Sequence, residues 1–268
     1  MAVKSRKPLN TLLFENLSHI KGIRHFISTR NGGVSNPPFD TLNLSFNVSD
    51  DPKHVAVNRQ ILSSALGFKL ECITAAKQVH GNKVAVVTKA MRGKGAKDHV
   101  SALGGIDAMV TNVPDILLMI QVADCVPLLF YDPKKKVIAA THAGWRGTVL
   151  EIARNTVNSM VKRFKSDPAY IYVGIGPSIG PCCYEVGHEV IRGVSNNLRN
   201  PKDLIKTGNG KSYLDLWEAN KSQLIESGIP ASNIEVSQIC THCNSDTFFS
   251  SRAGKGVTGR FGAGIMLA

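Results

Sequence analysis

Three segments of the chain each carry one side chain suited to a borderline-soft metal ion. Gln78-Val79-His80-Gly81 precedes an apolar stretch, and Thr141-His142-Ala143-Gly144-Trp145-Arg146-Gly147 joins an apolar stretch to a helical pattern. Between them, Ala123-Asp124-Cys125-Val126-Pro127 interrupts a long apolar run, where an acid and a thiol are costly unless something satisfies them. Two imidazoles and one thiolate with no fourth donor compose a catalytic zinc site, which keeps a position open for water or substrate. Three unrelated, locally packed residues would leave the same sequence, because ligands from distant segments carry no short-range signature. The same residues also suit a cysteine nucleophile, with Cys125 attacking and His80 and His142 as base and orienting group.

Other polar segments stand between turn and site. Asn31-Gly32 within Thr29-Arg30-Asn31-Gly32-Gly33-Val34-Ser35 is a hairpin-turn signal. Gly174-Ile175-Gly176-Pro177-Ser178-Ile179-Gly180 resembles an anion-cradling loop but lacks the pattern of a P-loop, which is excluded. Arg146 lies just before a helix start, where free amide groups favour an anion. The remaining cysteines are Cys72, the adjacent Cys182 and Cys183, and Cys240 and Cys243. Cys240-Thr241-His242-Cys243 is a single C-x-x-C without a second copy, so a four-thiolate zinc site is not expected. Adjacent cysteines are not expected to face one partner, so both pairs read as structural or incidental.

The elements that must position these residues follow from apolar patterning and turn signals. Strands are expected at residues 23–29, 83–88, 107–111, 116–122, 127–131, 137–141, 170–175, 234–239 and 262–267. Helices are expected at 52–65, 148–164, 186–198 and 214–226, with Thr148 and Glu151 as a capping box opening the second. Strands outnumber helices and do not alternate regularly with them, which argues for α/β (α+β) architecture, a layered α/β sandwich with mixed sheets. No repeat or linker divides the 268 residues, so the reading is one domain over 1–268, with 1–20 as a loosely packed N-terminal extension.

Composition bounds the function classes. At 43% hydrophobic the chain has material for a core, which excludes disorder. The longest apolar run, residues 116–130, is broken by Gln121, Asp124 and Pro127, and the basic N-terminus has no apolar stretch behind it, so neither a membrane span nor a signal peptide is expected and the location reads as cytoplasmic. A net charge of +12 invites a nucleic-acid reading, but its clusters at 4–7, 89–97 and 134–136 accompany no nucleic-acid-binding motif. They read as solvated loop tips, and the excess suits a small anionic substrate.

The motifs together resemble the YfiH family, also called the laccase-domain or multicopper polyphenol oxidase family. The resemblance is carried by Thr29 to Ser35, Leu42-Asn43-Leu44, Asn58-Arg59, Gln78 to Gly81, Ala123-Asp124-Cys125, His142 to Gly147 and Gly176-Pro177-Ser178-Ile179-Gly180-Pro181. Cys240-Thr241, Phe248-Phe249-Ser250 and Thr258-Gly259-Arg260 extend it to the C-terminus. It implies a layered α/β sandwich binding one zinc through His80, Cys125 and His142, with Asp124 orienting a ligand or moving protons. It further implies phosphorolysis of adenosine, inosine and methylthioadenosine, with adenosine deaminase activity that would use the open metal position. The expected substrate-binding residues are Arg30, Asn43, Arg59, Arg146 and Ser178, the arginines cradling phosphate opposite the base. Where the family usually has Phe-Phe-Ser-Tyr-Arg-Arg, Ser251 replaces the tyrosine and Ala253 the second arginine.

The implied partners are a purine nucleoside and phosphate, with no nucleic acid and no membrane, for a monomer or homodimer. Some bacterial relatives are linked to peptidoglycan editing, so a metal-dependent hydrolase of a cell-wall precursor is the second reading. A copper laccase ranks lower, because multicopper oxidases need many imidazoles, typically in H-x-H pairs, and the eight histidines here form none. Copper would nevertheless compete for the same site, since Cu²⁺ stands above Zn²⁺ in the affinity order.

Overall fold

The computed structural model describes residues 9–268. Two mixed sheets stack face to face. The first runs, edge to edge, Thr11–Leu12, Ile23–Ser28, Phe261–Leu267, Leu117–Val122 and Ile73–Thr74. The second runs Ile234–Val236, Tyr172–Ile175, Val126–Asp132, Val137–Ala143, Ala108–Thr111 and Val84–Val86. The C-terminal strand therefore lies inside the first sheet, antiparallel to both neighbours.

The central strands read as continuous apolar runs because both faces are covered. Along Val126–Asp132 the side chains of Leu129 and Tyr131 enter the core between the sheets, with Ile27, Leu118, Ile120 and Ala263 opposite. Leu128 and Phe130 point the other way, onto the helices Ile152–Phe164 and Leu216–Glu226 through Val157, Met160 and Leu224. The outer face of the first sheet, with Phe26, Leu117 and Met119, is covered by Leu42, Leu44 and Leu62, the last from helix Pro52–Leu66. The layers are helix, sheet, sheet, helix: the α/β sandwich expected from the sequence. Helix Pro52–Leu66 is bounded as its ends dictate, with Asp51 accepting the Lys53 amide hydrogen bond, Pro52 in the first turn and Gly67 at φ 68 closing it.

Three expectations change. The helix expected at 148–164 is two helices, Trp145–Val149 and Ile152–Phe164, because Glu151 adopts a left-handed φ of 58 and forms no cap. Thr148 lies inside the first of these, and its hydroxyl accepts from Asn220 Nδ2 instead. Residues 186–198 begin as the short strand Glu185–Val186 and become helical only over His188–Asn197. That strand joins Lys211–Leu214 and Ile205–Gly208 in a small third sheet that alternation does not announce. Within the expected N-terminal extension, residues 1–8 lie outside the described residues, whereas Thr11–Leu12 pairs with Ile27 and Ser28 and Leu17 is fully buried. Among the described residues no helix is long and apolar enough to cross a membrane.

The site-bearing segments converge where the chain passes from the first sheet to the second. Ala123 to Cys125 make that crossing, His142 is the penultimate residue of the central strand Val137–Ala143, and His80 lies in the loop before Val84–Val86.

A capping box at Thr148 and Glu151 would make Glu151→Gly destabilising. The observed left-handed backbone costs a non-glycine residue about 1–2 kcal/mol, which glycine avoids, against about 0.4–1 kcal/mol from a looser unfolded chain. Glu151→Gly is expected to unfold in urea at or above the wild-type midpoint; a loss of more than about 1 kcal/mol would restore the capping role.

Candidate metal centre

The site is built around Asp107, a buried carboxylate just before strand Ala108–Thr111. Its Oδ1 accepts from the His80 amide at 2.9 Å, its Oδ2 from the Gly81 amide at 2.8 Å, and both lie 3.2 Å from the Val79 amide. His80 adopts a left-handed φ of 60, which three amides turned toward one carboxylate help to hold. The same Oδ1 lies 2.8 Å from Nδ1 of His142. Burial would raise the Asp107 pKa, but hydrogen bonds from His142 and the Gly81 amide outweigh it and hold the carboxyl below its usual range. An ionised Asp107 accepts the Nδ1 proton of His142, leaving Nε2 as the free donor.

One donor atom from each of His80, Cys125 and His142 lies within 4.8 Å of the others. The imidazole rings meet edge-on, with centroids 4.8 Å apart. Gly144 makes room for them: a Cβ there would stand 2.9 Å from His80 Cδ2 and 3.0 Å from Cys125 Sγ. The donors therefore fit a zinc ion held by two nitrogens and one sulfur. Without an ion the site carries its own charge separation. Burial would raise the Cys125 thiol, but the His142 charge and hydrogen bonds from both histidines bring it down to about 6. At His142 burial is likewise outweighed, by the thiolate and by Asp107, and the pKa rises to about 9.

These donors stand in the wall of a cavity of about 440 Å³. Arg59, Arg252, Lys255 and Arg260 bring positive charge to the same cavity, and Gln78, Ser45 and Asn47 bring neutral polar groups. Burial lowers the Arg260 pKa against the opposing charges of Cys125 and Asp124.

The expected substrate residues divide. Arg59 lines the cavity, fully buried, donating to the carbonyls of Leu44, Gly95 and Ala96 and stacking over Phe46. Arg30 lies outside the cavity lining and clamps the Asp40 and Ser245 carbonyls over the Phe249 ring. Asn43 knits Ser45, Asp50 and the Arg260 amide together. Ser178 accepts from Trp217 Nε1 at 2.6 Å, and Arg146 pairs at the surface with Glu189 at 3.1 Å. Asp124 lines the cavity, but its oxygens accept from the Thr241 hydroxyl and the Arg252 amide, both at 2.6 Å, rather than from a histidine. It ties the C-terminal loop to the crossing beside Cys125.

Asp107, Arg252, Lys255 and Arg260 are not among the site residues expected from the sequence. For Asp107 the only signal is an acid at the start of an apolar strand. The other cysteines also depart from the sequence expectation. Cys182 and Cys183 do face one partner, with Sγ atoms 3.7 and 3.4 Å from that of Cys243, because a tight turn in which the Cys183 and Tyr184 amides both donate to the Gly180 carbonyl converges them.

Residues 24–268 match the family model described as multi-copper polyphenol oxidoreductase laccase. The chain is 42% identical over 236 residues to a purine nucleoside phosphorylase YlmD from Geobacillus stearothermophilus, covering 87% of this chain and 86% of that one. It is 34% identical to a protein named adenosine deaminase from an unknown prokaryotic organism, over 87% and 89% of the two chains. A crystal structure of the Bacillus licheniformis hypothetical protein YfiH superposes with a TM-score of 0.92 at 38% identity, covering 96% of each chain.

Metal binding must displace the proton that His142 holds below about pH 9, and below about pH 6 a second one from Cys125. Zinc affinity is expected to rise about tenfold per pH unit from about pH 7 to 8.5, in competition with a chelator of known proton affinity. An affinity flat across that window would contradict a His142 proton that the metal must displace.

Proposed function

The chain belongs to the multi-copper polyphenol oxidoreductase laccase family, and we propose that its activity is zinc-dependent phosphorolysis of purine nucleosides, with adenosine deamination beside it. Adenosine, inosine and S-methyl-5′-thioadenosine are the proposed substrates, and phosphate the co-substrate. The observation that carries this reading is the joining, in one cavity, of a three-donor metal set with Arg59, Arg252, Lys255 and Arg260. Relatives named for both activities support it.

In phosphorolysis the bond from ribose C1′ to the purine nitrogen breaks, its electron pair leaving with the base, while a phosphate oxygen bonds to C1′. The ribosyl group passes through a cation-like state, so phosphate must be held close to C1′ on the face opposite the leaving base. The four cationic side chains bring the positive field this requires, Arg59 and Arg252 from guanidiniums already bonded to backbone carbonyls. Gln78 is fixed by a reciprocal pair of hydrogen bonds with the Gln121 backbone and offers a rigid wall against which a flat base can lie.

His80, Cys125 and His142 would hold the zinc, and Asp107 keeps His142 in the tautomer that binds it. When bound, the metal supplies a Lewis acid with an open coordination position. Copper would take the same three donors. Among the described residues only two of the eight histidines enter a metal-binding group, which favours nucleoside chemistry over multicopper oxidation. Asp124, with both oxygens engaged, acts by positioning the loop that carries Arg252. Arg30, Asn43, Arg146 and Ser178 act as framework around the cavity.

Purified zinc-loaded protein given inosine is expected to release hypoxanthine and ribose 1-phosphate only when phosphate is present, and chelation is expected to abolish the release. Hypoxanthine release at the same rate without phosphate would turn the assignment toward hydrolysis. Full activity in exhaustively metal-stripped protein, lost on thiol alkylation, would make Cys125 a nucleophile instead.

A further inference from the structure

Four cysteines outside the cavity converge from two turns. The strands Tyr172–Ile175 and Ile234–Val236 run parallel, and their pairing continues beyond both strands to a bridge between Ser178 and Cys240. There the Ser178 amide donates to the Ile239 carbonyl and the Thr241 amide to the Ser178 carbonyl. Past that point each chain turns sharply. One turn presents Cys182 and Cys183; the other, closed by the Asn244 amide on the Cys240 carbonyl, presents Cys240 and Cys243. One Sγ from each of the four lies within 4.8 Å of the rest, with Cys182 and Cys183 at 3.7 and 3.4 Å from Cys243.

We propose that Cys182, Cys183, Cys240 and Cys243 form a second metal site, a closed four-thiolate site that takes one zinc ion in a structural role. Four sulfurs bonded tetrahedrally at about 2.3 Å from one ion stand about 3.8 Å apart, close to the separations observed. They stand too close together to span a multi-iron cluster. A disulfide would use two of the four and leave two thiols crowded against it, whereas one dication takes all four after their protons leave. The four thiolates and the ion carry a net charge of −2, and the surroundings answer it. The Gly180 amide donates to Cys240 Sγ at 3.3 Å, and the Arg252 guanidinium donates to the carbonyls of Cys183 and Glu185 at 3.4 and 3.0 Å.

The placement gives the ion a purpose. Ile179 and Tyr184, on either side of the first turn, and Arg252, bonded to its carbonyl, all line the cavity. Thr241, inside the second turn, donates to Asp124 beside the metal-donor thiol of Cys125. A zinc here pins two loops into one cavity wall, with no open position for substrate.

Zinc counting on the full-length protein, purified under reducing conditions and equilibrated with zinc, tests the site. Two zinc per chain are expected, falling to one in Cys243→Ser and to one in Cys125→Ser, which empties the other centre. X-ray absorption of Cys125→Ser is expected to show zinc with four sulfur neighbours at about 2.3 Å, a readout that stands even where Cys243→Ser fails to fold. A single zinc per chain that Cys125→Ser loses and Cys243→Ser keeps, or a reducing-agent-resistant disulfide between Cys243 and Cys182 or Cys183, would overturn the proposal while leaving the His80, Cys125 and His142 reading untouched.

Discussion

One buried carboxylate organises the site. Asp107 accepts from three consecutive backbone amides and from the ring of His142, so two donors some sixty residues apart in the chain take their positions from the same pair of oxygens. Hydrogen bonds to a charged acceptor contribute roughly 1.5–3 kcal/mol each, and a buried carboxylate without them would be strongly destabilising. Burial and full satisfaction therefore come together: the loop at 79–81 must curl toward Asp107, and His142 must present Nδ1 to it. The direction in which both imidazoles face the thiol follows from that. The His142 amide also donates to the Asp107 carbonyl, so the strand carrying the ligand is registered on the strand that follows the carboxylate.

The sandwich supplies the remaining constraint. The crossing between the sheets is a short, sharp passage in which Asp124 takes a left-handed φ of 83 and Cys125 emerges into the cavity. An acid and a thiol are tolerated inside an apolar run because each has partners: Thr241 and Arg252 for the acid, two histidines for the thiol. The segment between the second sheet and the C-terminal strand closes the far wall, bringing Arg252, Lys255 and Arg260 over the donors before Phe261–Leu267 returns to the centre of the first sheet. Ser251 stands in that wall as well.

Much of this was legible from residue order. Central strands read as apolar runs, and the anomaly of Asp124 and Cys125 inside one of them points to the candidate site. What remained hidden depended on contacts between distant segments. Asp107 looks like any acid at a strand start; its value lies in amides and a ring that only the fold brings to it. Arg30 and Arg146 carry the right charge in recognisable motifs, yet Arg30 spends its donors on the Asp40 and Ser245 carbonyls and Arg146 faces an exposed glutamate. Thr148 and Glu151 satisfy a capping pattern that tertiary contacts override, with Asn220 and Gln223 of a neighbouring helix binding the Thr148 hydroxyl and carbonyl. The convergence of the adjacent cysteines is hidden for a related reason: spacing gives no account of a turn that folds two neighbours onto a third.

Asp107 is the group that presets the candidate metal donors. Its most direct test is the zinc affinity of Asp107→Asn, measured by chelator competition beside wild type and Asp124→Asn, with folding checked by circular dichroism. Asparagine keeps the shape but loses the charge and one acceptor, so affinity is expected to fall about 10–100-fold, while Asp124→Asn stays within about threefold of wild type. A folded Asp107→Asn protein that binds zinc as tightly as wild type would contradict the claim.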